Sequence, residues 1–115
     1  MSYIDGCVIA VPTSNKNSYF EHAQLAAALF KEHGAIRVAD YWGSDVPHGE
    51  TTDFFRAVQA KQDETIVFSW IEWPDKPTRD TGMQKVMDDP RMQDMTMPFD
   101  GKRMIFGGFE QLWDV

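Results

Sequence analysis

Apolar and polar positions follow two different periods along this chain, and the places where the period changes mark its elements. From Tyr3 to Val11 the run YIDGCVIAV is rich in β-branched and aromatic residues and stops at Pro12, which predicts a first strand. Ser14 or Asn15 can then cap a helix that Gly34 closes. Within it Tyr19, Ala23, Ala26 and Phe30 fall at helical steps on one face, while Glu21, Gln24, Lys31 and Glu32 take the opposite one. Ala35 to Trp42 reads as a second strand, followed by the loop GSDVPHGETTD. Phe54 to Ala60 and Thr65 to Trp73 are two further strand-like runs, and the polar link KQDE between them predicts an antiparallel hairpin. Pro74 ends the second run, Asp75 can cap a second helix, and Met83, Val86 and Met87 recur at helical spacing until Pro90. The Met-rich stretch from Arg91 to Met97 has no clear period. After the turn residues Pro98 to Gly101, the segment from Arg103 to Trp113 reads as the last strand.

The resulting order is β, α, β, β, β, α, β. It predicts an α+β, ferredoxin-like βαββαβ domain with an additional hairpin strand, two helices lying on one face of an antiparallel sheet. At 115 residues, with no internal repeat or linker, the whole span 1–115 is expected to be one domain. Several strands are apolar at consecutive positions, so both sheet faces are expected to be buried, yet two helices cover only one. A second copy is the simplest cover for the other. The expected form is therefore a homodimeric α/β barrel.

Composition narrows the partners. Eighteen acidic residues against eleven basic ones give a net charge of −7, which repels phosphate backbones and anionic membranes, so neither nucleic acid nor membrane is expected. No window approaches the ~18 apolar residues of a membrane span. A single cysteine, Cys7, excludes an intrachain disulfide and suits a reducing compartment. A cytoplasmic location is expected, with Cys7 simply packed.

Five strings carry a family resemblance: YIDG, FKEHGAIRVADYWGSDVP, DETIVFSWIEWP, MQKVMDDPRM and PFDGKRMIFGGFE. Together they cover nearly the whole chain, which resembles the YbaA-like family of unknown function, within the dimeric α/β-barrel superfamily. That resemblance implies the barrel fold and no established activity. The wider superfamily includes cofactor-independent monooxygenases, haem-degrading enzymes and small stress-response barrels. Its haem-degrading members place an Asn on the first strand, a Trp on the third and a His on the second helix. Trp70 matches the Trp, but the first strand offers Asp5 and the second helix holds no histidine, so haem degradation is disfavoured. No cofactor is expected.

The remaining chemistry is sparse. His22 and His33 lie on one helix edge roughly 16 Å apart along its axis, too far to share a metal. His48 falls in a loop, and no metal-ligand spacing occurs, so no metal is expected. No G-x-S-x-G elbow or phosphate loop is present, and Gly107-Gly108 is expected to mark a bulge or a close backbone approach. More informative are carboxylates inside apolar strands: Asp5, Asp40, Glu72 and Glu110. Alternation places Glu72 with Phe68 and Trp70, where it can serve as a general base in an aromatic-walled pocket. The competing reading pairs Glu72 or Glu110 with Arg37, Arg56 or Arg103 at a strand end. Trp42, Trp70, Trp73 and Trp113 suit either a ligand pocket or a dimer core. Arg79 is expected to snorkel past the second helix or to meet an anion.

Two functional classes follow. In the first, a homodimer binds a small hydrophobic or weakly acidic organic molecule between its paired sheets, as an oxygenase or isomerase without a cofactor. Glu72 is then the catalytic candidate, and Trp70, Phe68, Asp5, Glu110 and Trp42 line the ligand. In the second, the dimer is a non-catalytic structural or stress-related module whose barrel is filled by its own side chains.

Overall fold

The computed structural model describes residues 2–115. β1 (Tyr3–Pro12) passes through a 3-10 turn (Thr13–Asn15) into α1 (Lys16–Glu32) and then β2 (Arg37–Trp42). A loop leads to α2 (Phe54–Ala57), followed by β3 (Glu64–Trp73), α3 (Lys76–Asp88) and α4 (Pro90–Gln93). A second 3-10 turn (Gly101–Arg103) precedes β4 (Ile105–Glu110). The four strands form one sheet in the order β2-β3-β1-β4, every neighbouring pair antiparallel. This is the ferredoxin-like arrangement expected from the pattern. The molecule measures 38 × 36 × 21 Å, and its short dimension accommodates one sheet and one layer of ~10 Å helices.

The additional hairpin strand is not formed: Phe54–Ala57 is one turn of helix. The reason is local. The Asp53 carboxylate accepts from the amides of Arg56 at 2.7 Å and Gly49 at 3.1 Å. The Arg56 guanidinium donates back to the carbonyls of Glu50 and Gly49, each at 2.9 Å. Gln59 then takes a positive φ of 50° and ends the turn. A short apolar run such as FFRAV fits either period, and here the helical one places Phe55 and Val58 together on Val8, Ala10 and Ile66. Expected boundaries also move, and Arg103 falls in the 3-10 turn ahead of β4. β2 begins at Arg37 rather than Ala35, because the chain first turns through Gly34 at φ 112°. β4 stops at Glu110 rather than Trp113. Asn15 does not cap α1 with its side chain; its amide donates to the Pro98 carbonyl at 3.0 Å and ties down the turn before β4. Asp75 caps α3 as expected, accepting from Thr78 at 2.8 Å.

The helix-side core joins Ile9, Val11 and Val67 of the central strands to Tyr19 of α1. α3 is held close by Gly82, where an added Cβ would lie 2.4 Å from the His33 carbonyl oxygen and 2.5 Å from the Trp73 ring. At the other end of β3, Glu64 accepts two parallel bonds from Arg103, each 2.7 Å, and one from the Lys61 amide. The Arg103 guanidinium holds the buried Glu64 carboxyl below its ordinary value, outweighing the burial that acts against it.

Gly82→Ala would gain about 1 kcal/mol of helix propensity but must separate α3 from Trp73 and α1, an overpacking cost of about 1–3 kcal/mol or more. A net loss of stability in urea unfolding is expected; an unchanged or raised midpoint would contradict this packing. Because Glu64 is depressed in the folded state, its stabilisation is complete above an ordinary carboxyl value of 4.5 and disappears as pH falls through the lower folded value. Glu64→Gln should therefore lower the thermal midpoint at pH 7 and flatten its fall below pH ~4.5. Parallel pH curves for the two proteins would refute the coupling.

Candidate functional site

Strand register sorts the side chains into two opposite environments, since facing residues on paired strands project to the same side. On the side away from α1 and α3 they form three rows across the sheet. One row runs Arg37, Glu72, Ile4, Phe109; the next Ala39, Trp70, Gly6, Gly107; the third Tyr41, Phe68, Val8, Ile105. α2 covers the far end and reaches the third row, with Phe55 and Val58 on Val8 and Phe54 edge-on to Phe68. Tyr41, Phe68, Ile105 and Phe109 are exposed, and Trp70 and Glu72 are half-buried.

The middle row is a trough. Trp70 is its only large side chain, and Ala39, Gly6 and Gly107 make the rest of its floor. The Phe109 ring lies over both glycines, 3.7 Å from a Cβ built on Gly6 and 3.6 Å from one built on Gly107. Tyr41 stacks on Trp70 with ring centroids 5.1 Å apart, and Phe68 meets Trp70 edge-on at 6.0 Å. The Arg37 guanidinium sits 5.9 Å from the centre of the Trp70 ring. Glu72 faces Arg37 in register, yet no ion pair within 4.0 Å reaches its carboxylate among the described residues. Arg103 and Arg56, the other partners considered for it, are engaged by Glu64 and Asp53. A small apolar hollow of about 110 Å³ adjoins this surface, walled by Tyr41, Trp42, Gly43, Val46, Phe54, Ile66 and Phe68.

Of the other predicted site residues, Trp42 lines the adjoining hollow, while Asp5 and Glu110 project to the opposite side. Asp5 points to the helix-covered side, because it lies one residue out of phase with Ile4 and Gly6. There it accepts from Arg79 Nη2 at 2.7 Å, from Arg79 Nε at 3.0 Å and from the Trp73 indole at 2.9 Å. The Arg79 guanidinium also lies 5.2 Å from the centre of the Tyr3 ring. Arg79 thus meets an anion, but one of its own chain. Trp42 packs with the Ile9, Val11 and Val67 cluster, beneath the Lys16 ammonium at 5.3 Å. Glu110 ends β4 in solvent on that same side, opposite Tyr3. Asp40 accepts from the buried Tyr19 hydroxyl at 2.7 Å; burial and then the Asp40 charge push that phenol upward. Cys7 is half-buried on the same side, and burial raises its thiol to about 11. The glycine pair marks a close approach without a bulge: a Cβ on Gly108 would fall 2.2 Å from the Tyr3 hydroxyl, while the β1–β4 register runs on unbroken.

Sequence spacing gave no sign of one cluster. His33, at the end of α1, has Nε2 3.5 Å from both Glu32 and Asp89, and the three offer possible metal-ligand atoms within 4.8 Å of one another. Asp89 comes from the α3–α4 junction, 56 residues further along the chain than His33. The Arg91 guanidinium already bonds both carboxylates, reaching Asp89 at 2.8 Å, and so supplies the positive charge there. A broader groove of about 680 Å³ runs on the outer side of α1, lined by His22, Leu25, Arg91 and Met95 among others.

These features define a ferredoxin-like α+β protein whose sheet is covered by helices on one face and largely bare on the other. The same fold is found in SnoaB, a cofactor-independent oxygenase from Streptomyces nogalater. A crystal structure of one of its variants superposes with a TM-score of 0.57 over 99% of this chain and 96% of that one, at 13% identity. The chain belongs to the protein-of-unknown-function family DUF1428, whose profile matches residues 2–101. It is 56% identical to the uncharacterized protein YbaA of Escherichia coli strain K12 over 99% of both chains. The YbaA of Shigella flexneri matches to the same extent.

The two faces respond differently to substitution. Asp5→Ala leaves the Arg79 guanidinium and the Trp73 indole without their shared acceptor, and should cost on the order of 3 kcal/mol in urea unfolding. Glu72→Ala, by contrast, should change stability by less than about 0.5 kcal/mol. Equal losses for the two variants would show that the faces are not distinguished as described.

Proposed function

We propose that this protein is a cytosolic homodimer that binds a small hydrophobic or weakly acidic organic molecule between two paired sheets. Glu72 acts as the general base, and the chemistry is of the oxygenase or isomerase type that runs without a cofactor. One observation carries the reading. The bare sheet face holds a trough between aromatic walls, with a carboxylate that makes no ion pair among the described residues and a guanidinium at its edge.

The chemistry follows from those groups. A ligand seated on Trp70, against Phe68 and Phe109, loses water on its apolar surface. Glu72 can then take a proton from an acidic carbon or hydroxyl of the ligand. Arg37, opposite it, stabilises the anion left behind, and does so more strongly once a second sheet excludes solvent. The fold shared with a cofactor-independent oxygenase agrees with this class of reaction, although at 13% identity the residues must stand on their own geometry.

A second reading draws on α2, which already fills one end of the face with Phe55 and Val58. In a non-catalytic dimer the rest of the barrel would likewise be packed with its own side chains. Ligand binding separates the two. Sedimentation at micromolar concentration should give a species of twice 13.2 kDa, and a planar hydrophobic probe should quench tryptophan fluorescence in the wild type. Glu72→Gln should weaken binding of a weakly acidic probe or turnover at least tenfold while leaving the unfolding midpoint in place. A monomer, or a dimer that takes up no probe, would reject the chamber; an unaltered Glu72→Gln variant would reject the role of the carboxylate.

A further inference from the structure

After β4 the chain continues through Gln111 to Val115 without regular structure. The root of this tail is pinned: the Gln111 amide donates to the Ser2 carbonyl at 3.4 Å, and the Ser2 hydroxyl donates to Gln111 Oε1 at 3.2 Å. Ser2 precedes β1, so the tail starts at the end of the sheet where Ile4, Glu72 and Phe109 form a row that no helix covers. Beyond that root no described residue of its own chain covers it. Leu112 is 90% exposed, Trp113 72% and Val115 105%.

Each copy therefore carries an uncovered apolar surface and an unplaced apolar segment at the same end of one sheet. We propose that the tails are exchanged in the homodimer, so that the partner's Trp113 lies over the bare end and closes the chamber beside Glu72. This rests on the face-to-face dimer proposed above and adds a residue of the second copy to its site.

Reach, area and charge agree with that occupant. Two residues beyond Gln111 carry the Trp113 backbone up to ~7 Å when extended, past the midplane of two sheets packed ~10 Å apart. At ~200 Å² per aromatic side chain, the exposed parts of Tyr41, Phe54, Phe68 and Phe109 together with the tail come to roughly 800–900 Å² per copy, near the ~800 Å² per partner of a stable interface. Asp114 travels with Trp113 and meets Arg37, the basic residue of the bare row. A two-fold axis applies the same exchange to both tails and leaves neither surface open.

The test uses the full chain, a chain ending at Gln111, and a spin label at position 115 introduced by Val115→Cys on a Cys7→Ser background, which keeps Trp113. The shortened chain should unfold in one transition like the full chain but dissociate at least tenfold more readily in sedimentation. In dimers formed by mixing spin-labelled chains with isotope-labelled, label-free chains, resonances of Ile4, Trp70 and Glu72 in the label-free chain should broaden. Unbroadened resonances in the label-free chain, or a shortened chain that dimerises as tightly as the full one, would overturn the exchange while leaving the dimer intact. A monomeric full chain would overturn the dimer reading and the exchange together.

Discussion

β1 is hydrogen-bonded on both sides, to β3 through ten facing pairs and to β4 through six. Both strand neighbours therefore take their phase from it. With a side-chain period of two, a slip of one residue would exchange the two faces, carrying Asp5 out of reach of Arg79 and Trp73 and setting Ile4 and Val8 beneath the helices. The Asp5 knot opposes such a slip, because its carboxylate has donors waiting only on the helix side. The placement of Glu72, Trp70 and Phe68 on the other side follows from the same phase.

The unequal cover of the two faces then separates structural polarity from polarity left available. Under the helices the charged and hydroxyl groups are used up: Asp5 by Arg79, Asp40 by Tyr19. Among the described residues no buried side-chain nitrogen or oxygen lacks a partner. On the bare face Glu72 and Arg37 face each other without an ion pair, beside aromatic rings that water alone would solvate poorly. A buried and satisfied carboxylate serves stability, whereas one at the edge of an apolar trough has capacity left for a ligand. The tail belongs to the same economy of surface, since its apolar side chains begin at an end of the face that no helix covers.

Much of the fold was legible in the sequence, for reasons tied to particular residues. The run from Thr65 to Trp73 read as a strand, and the step pattern of Tyr19, Ala23, Ala26 and Phe30 read as a helix lying on a sheet. Phe54 to Ala57 did not read correctly, because four apolar-rich residues satisfy either period and the choice fell to Asp53 and Arg56 closing a local turn. Of the site, Glu72, Trp70 and Phe68 share a face by alternation within one strand, which sequence reports directly. Asp5, Trp42 and Glu110 were grouped with them although strand phase is not visible across different strands.

The sequence by itself determined the elements, their order and the positions that share a side within each strand, because these depend on local periods and on caps. Only the tertiary structure decided which side of β1 matched which side of β3, that Asp89 and Arg91 come to the end of α1, and that Gly6 and Gly107 lie side by side beneath Phe109. These are meetings between residues far apart in the chain. They depend on register and helix packing rather than on any local preference.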